Sequence, residues 1–176
     1  MKPPITVTGL LLLSVLFVSC SPRPMKQPSA FILRSEAFAQ NGLIPQQYSC
    51  DAEGMSPPLS VAGVPENAKS LALIMDDPDA KPATFVHWVI WNLLPQDQTI
   101  PQGVVIDSSK LGKTSAGGVA YVPPCPPRGT HTYHFKLYAL DRTLAFDAPP
   151  TSEQLQKAME GHILGRTELA ATYSRS

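Results

Sequence analysis

Ser70-Leu71-Ala72-Leu73-Ile74-Met75-Asp76-Asp77-Pro78-Asp79-Ala80 joins a compact apolar run to three crowded carboxylates. The run is consistent with a buried strand that ends where its acidic residues meet water. Two more segments carry the same signal. Residues 86–93 are rich in β-branched and aromatic side chains, with His87, Val89 and Trp91 on one face of a regular strand and Trp88, Ile90 and Asn92 on the other. Residues 131–141 place His131, Tyr133, Phe135 and Leu137 on one side and His134, Lys136 and Tyr138 on the other.

The connections between these runs are rich in proline and glycine. The longest, residues 112–129, contains Pro123-Pro124-Cys125-Pro126-Pro127, a stiff stretch suited to a cis peptide. With 19 prolines in 176 residues, any long helix would be cut into pieces, which argues against a helical bundle and for a sheet protein with rigid loops. One helix is predicted. Thr151-Ser152-Glu153-Gln154 supplies capping chemistry, Leu155, Ala158, Met159, His162 and Ile163 follow at helical spacing, and Gly165 is placed to end it. His162 then sits near the helix end, where the dipole favours a cation. Residues 168–174 alternate around Leu169, Ala171 and Tyr173 as a closing strand. Several strands and one late helix predict a mainly β, antiparallel domain over residues 31–176. Its 14 basic and 14 acidic residues leave none of the basic surplus that nucleic-acid binding uses.

The N-terminal residues read as an address. Lys2 precedes an almost uninterrupted apolar run over residues 5–18, shorter than the about 20 residues of a comfortable membrane span but suited to a secretory signal. Leu16-Phe17-Val18-Ser19-Cys20 follows and resembles a bacterial lipobox, with Phe17 where leucine is more usual. The expectation is a signal peptide over residues 1–19, lipidation of Cys20, and a proline-rich tether over residues 20–30. The alternatives are an ordinary signal peptide cleaved nearby or a short membrane anchor. By resemblance to lipoprotein sorting signals, Ser21 favours a periplasm-facing protein on the outer rather than the inner membrane. In such an oxidising compartment Cys50 and Cys125 either pair as a disulfide or remain two separate buried thiols.

Taken singly, Asp77, His87, His131 and Tyr133 read as unremarkable: a solvated strand exit and polar residues on apolar faces. Together they have a chemical logic. A carboxylate beside a histidine orients the ring and stabilises imidazolium, and two rings with a tyrosine hydroxyl can present donors to a small anion. Binding would then be coupled to proton uptake near neutral pH.

Asp76-Asp77-Pro78-Asp79-Ala80, His87-Trp88, and Cys125-Pro126-Pro127-Arg128-Gly129-Thr130-His131-Thr132-Tyr133 in that order resemble the phosphatidylethanolamine-binding protein family, in its bacterial Raf-kinase-inhibitor-like branch. Ile44-Pro45, Tyr48-Ser49-Cys50-Asp51 and Ser56-Pro57-Pro58-Leu59 match further motifs of that branch, and the likeness runs from about Phe38 to Tyr173. The resemblance implies a Greek-key β-sandwich-like fold, a larger antiparallel sheet packed on a smaller one, with a short C-terminal helix. It implies an anion pocket in which Asp77, His87, His131 and Tyr133 meet the ligand, Pro126 and Pro127 form the wall, Asp79 is structural, and Trp88 is a core residue on the face opposite His87. The implied ligand is a small anion, a phosphate, phosphoethanolamine-like group or carboxylate, with no cofactor. Three departures touch the loops: Lys81 stands where the acidic motif usually has proline, Pro123 where glycine is usual, and Ala52 follows Asp51 where glycine is usual. Lys81 is read as solvated.

Three functions compete. The first is an anchored anion-binding module, which could also regulate a protein partner. The second is a hydrolase using the same pocket, with Asp77, His87 and His131 as zinc ligands; no Gly-x-Ser-x-Gly elbow supports a serine nucleophile. His131 and His134, although close, fall on opposite strand faces and make a poor ligand pair. The third is serine protease inhibition, an activity of some relatives. Binding is the reading adopted, without catalysis. If Cys20 carries lipid, Cys20→Ala abolishes incorporation of labelled palmitate by the expressed protein; retained label would contradict the lipobox reading.

Overall fold

The computed structural model describes residues 30–175, so Cys20, the signal peptide and all but the last residue of the tether lie outside the described residues. Along the chain come β1 (Ile32–Arg34), β2 (Gly42–Leu43), β3 (Leu59–Ala62), β4 (Ser70–Asp77), β5 (Phe85–Leu93), β6 (Gln98–Ile100), β7 (Gly129–Leu140), α1 (Ser152–Met159) and β8 (Ile163–Arg175). Five strands form one sheet in the order β2-β8-β7-β4-β5, and three form a smaller one in the order β1-β3-β6. The mainly β expectation, with a larger sheet packed on a smaller one, holds. One correction concerns direction. Every pairing is antiparallel except the short edge β2, which runs parallel to β8 through Gly42 and Leu43.

All eight residues of β4 are buried, which explains why its sequence is continuously apolar rather than alternating. Leu71, Leu73 and Met75 face the smaller sheet, joining Leu33, Leu59, Val61 and Ile100 with Trp88, Phe135 and Leu137 in the main core. Ala72 and Ile74 face the other way, into a second cluster with Val89, Tyr138 and Leu140 that α1 covers through Leu155 and Met159. The large sheet is therefore the middle layer of three.

α1 begins as expected: the Thr151 hydroxyl accepts from the Gln154 N–H, and the Gln154 side chain returns a bond to the Thr151 backbone N–H. It ends earlier than the periodicity predicts. Gly161, at φ 77°, adopts the left-handed conformation that closes the helix, so His162 and Ile163 lie outside it. Ile163 starts β8, and Gly165 lies within that strand, where an added Cβ would come within 3.3 Å of the Phe31 ring. His162 instead bonds Asp141 at 2.9 Å.

The outer edge of β5 is covered by the chain that follows. Gly112 and Ser115 donate to the carbonyls of Val89 and Val86, and Val122 donates to that of His87. At Gly112 a Cβ would come within 2.5 Å of both the Pro150 carbonyl and the Val89 side chain. Gly112→Ala therefore lowers unfolding stability by about 1–3 kcal/mol, the usual cost of overpacking, in urea denaturation. An unchanged midpoint would mean that this edge is free to move.

Candidate functional site

The site is built where β4 runs out of apolar sequence. Asp76 and Asp77 are both buried, and adjacent strand residues point to opposite faces. Each finds its own partner on β7. Lys136 reaches Asp76 on the outer face at 2.6 Å, while His131 Nδ1 bonds Asp77 Oδ2 at 2.7 Å on the inner face. Asp77 Oδ1 also accepts from the backbone N–H groups of Asp79 and Ala80, at 2.9 and 3.2 Å. Asp79 ties the same turn to β7 by accepting from the Thr132 N–H at 2.8 Å. His134, on the opposite face from His131, bonds Glu168 at 2.6 Å, and that bond is the main reason the Glu168 carboxyl lies below its usual pKa.

His87 arrives by an irregularity that simple alternation misses. Met75 pairs with Trp88 and Asp76 with Val86, which leaves His87 as an extra residue in β5. The bulge corrects the expected faces. His87 turns away from the side of Val89 and Trp91, and its ring lies 5.2 Å from that of Tyr133, in the core that also holds Trp88. The Phe85 ring also packs on His87, at 4.7 Å. His87 Nδ1 donates to the Val122 carbonyl at 2.7 Å, and Val122 N–H donates back to the His87 carbonyl at 2.9 Å.

That exchange fixes one end of the proline-rich wall. Cys50 and Cys125 form a disulfide, and Cys50 N–H donates to the Pro124 carbonyl at 3.0 Å, so the wall is pinned to the loop around residue 50 as well. Asp51 closes the arrangement from behind, accepting from the Tyr173 hydroxyl at 2.6 Å and pairing with Arg175 at 3.0 Å. The cis peptide falls at Lys81–Pro82, not in the proline stretch at 123–127. All six residues expected at a pocket, Asp77, His87, Pro126, Pro127, His131 and Tyr133, line one open cavity of about 320 Å³, with Asp79 and Lys81 beside them. Phe85 and Val122 also line it. The sequence gives no signal for either, since neither carries chemistry of its own.

The polar groups in the cavity are unequally satisfied. Tyr133 is fully buried, and its hydroxyl makes no hydrogen bond to protein. Burial, reinforced by the Asp77 and Asp79 charges, drives its pKa far above the usual tyrosine value, so it remains a donor. The nearby Cys125 backbone tempers that shift without forming a well-shaped bond. Burial also lowers the His87 pKa below 6.5, although the Val122 carbonyl and the Asp77 and Asp76 carboxylates pull the other way. Among the described residues, no three His, Cys, Asp or Glu side chains are grouped to hold a metal ion. The set weighed for zinc, Asp77, His87 and His131, is not such a group: Asp77 meets His131 as a hydrogen-bonded pair, and His87 bonds the Val122 carbonyl.

A family model described as phosphatidylethanolamine-binding protein matches residues 34–174. The chain belongs to the phosphatidylethanolamine-binding protein family. A UPF0098 protein of Methanothermobacter thermautotrophicus is 46% identical over 148 residues, covering 81% of this chain and 98% of the relative. A solved homologue of phosphatidylethanolamine-binding protein from Chlamydia trachomatis superposes with a TM-score of 0.80 at 43% identity, over 84% of this chain and 99% of its own. The Escherichia coli family member YbcL shares the fold, with a TM-score of 0.76 at 22% identity over 84% of this chain and all of its own.

The buried His87 makes the fold sensitive to acid. Its folded pKa lies below the unfolded 6.5, so between those values the unfolded chain binds more protons. The stability contribution of neutral His87 is thus full above that window and is lost as the pH falls below 6.5. Urea unfolding at successive pH values measures this: His87→Gln should lose less stability on acidification than the parent. Equal losses would place the acid sensitivity elsewhere.

Proposed function

We propose that the protein is an exported, membrane-anchored binding protein whose cavity captures a small anion, a phosphate, phosphoethanolamine-like group or carboxylate. One observation carries the reading: the Tyr133 hydroxyl is wholly buried at the cavity wall and has no protein partner. Leaving such a group unsatisfied costs about 1–3 kcal/mol, which a ligand oxygen accepting from it would recover. His131 supports the same role. Its Nδ1 is committed to Asp77, which orients the ring and leaves Nε2 to serve the ligand as a donor when the ring is charged. Asp77, His87, His131 and Tyr133 are the proposed ligand contacts, and Pro126 and Pro127 the wall.

Binding without turnover fits the chemistry available. The cavity has two histidines and a protonated tyrosine, but none of its residues is a serine, threonine or free thiol beside a base. Export is supported by the N-terminal signal and by the Cys50–Cys125 bridge, which suits an oxidising compartment. The lipobox favours a lipid anchor at Cys20, and Ser21 favours the outer membrane, facing the periplasm. A regulatory role toward a protein partner would work through occupancy of this cavity.

Affinity for phosphoethanolamine, measured by calorimetry, tests the reading. His87→Ala with His131→Ala should weaken binding by about tenfold or more, and Tyr133→Phe by several-fold, the scale of single hydrogen bonds to a charged group. Unchanged affinity in the double variant would overturn it.

A further inference from the structure

We propose that the cavity selects an anion that carries its own proton, a phosphomonoester monoanion, over equally charged anions that have none. The inference rests on the anion-binding reading above and concerns which chemical class of anion fits.

The argument starts at His87. Its Nδ1 lies 2.7 Å from the Val122 carbonyl, an acceptor that can only receive, so Nδ1 carries a proton in every charge state of the ring. When the ring is neutral, Nε2 is therefore a bare acceptor. The surroundings favour that neutral state over the charged one. His87 is 4% exposed, with Phe85 and Tyr133 packed on its ring. The charged and titratable groups acting on it are Asp76 and Asp77 from β4 and His131 from β7. Asp77 is the natural stabiliser of a charged His87, but its oxygens already serve His131 and the N–H groups of Asp79 and Ala80. A charged His131 opposes a second cation. Tyr133 stays protonated, and Lys81 lies exposed at the cavity.

A ligand in this cavity thus meets two kinds of group. Tyr133 Oη, and Nε2 of a charged His131, donate; Nε2 of neutral His87 accepts. A phosphomonoester with one proton answers both, because its bare oxygens accept and its P–O–H donates to His87. A phosphodiester or a sulfate ester has equal charge but no hydrogen to give. Either would leave an oxygen facing the His87 lone pair, or would require the buried ring to take a proton from solvent.

Methyl phosphate, dimethyl phosphate and methyl sulfate separate these cases at nearly constant size. Calorimetry at about pH 6, near the second pKa of a phosphomonoester, gives their affinities for the unmodified protein. Methyl phosphate should bind about tenfold or more tightly than the other two, the scale of one hydrogen bond to a charged group. Its affinity should fall by about pH 8, where it is a dianion. The ¹⁵N spectrum of the complex should keep His87 as the neutral ring protonated at Nδ1. Equal affinities for all three, or a His87 imidazolium in the methyl phosphate complex, would overturn this inference and leave the anion pocket standing. Binding of none of the three would overturn both.

Discussion

Two adjacent carboxylates at the end of a strand buried on both faces set the constraint from which the site follows. β4 has no solvent side, so Asp76 and Asp77 cannot both escape to water at its exit. A buried charge must be paired and hydrogen-bonded or it is expelled. The fold meets this requirement on both faces of the sheet from a single neighbour, β7, with Lys136 outside and His131 inside. The outer pair closes a half-buried surface. The inner pair leaves an oriented imidazole at a cavity, because the adjacent turn saturates Asp77 with backbone donors. A structural necessity of the central strand thus places a histidine of fixed orientation where a ligand can reach it.

The opposite wall has no such internal cause and is held by tethers. Prolines cannot donate backbone hydrogen bonds, so the stretch at residues 123–127 cannot be fixed by an ordinary ladder. Val122 joins it to β5, and the disulfide with the Cys50–Pro124 hydrogen bond joins it to the loop around residue 50. A bridge spanning 75 residues contributes about 4–5 kcal/mol on the chain-entropy account. Its position also bears on the proposed binding: a wall fixed in advance would lower the ordering cost of holding a small ligand.

Much of this was legible in the sequence. The continuous apolar run at residues 70–75 announced a central strand, and alternation at residues 131–141 correctly sorted Tyr133 and Phe135 from His134 and Lys136. The ordered motifs named six residues that line one cavity. What failed did so for physical reasons. Period-two alternation assumes an unbroken ladder, so the bulge that rotates His87 into the core beside Trp88 left no trace in it. Helical spacing ran on through His162 and Ile163 because the stop at Gly161 depends on a backbone conformation, not on hydrophobicity. The short strands β1, β2, β3 and β6 have two to four residues each, too few to show a period. Asp51 entered only as one residue of a matching motif, and only the fold brings Tyr173 and Arg175 to it.

The central claim is that an oriented histidine and an orphaned tyrosine hydroxyl form a receptor for an anion. A crystal structure of the protein with phosphoethanolamine tests it most directly. The account predicts a phosphoryl oxygen at about 2.5–3.0 Å from Tyr133 Oη, with His131 Nε2 on a second oxygen of the same group. A ligand bound elsewhere, with Tyr133 facing only water, would contradict it.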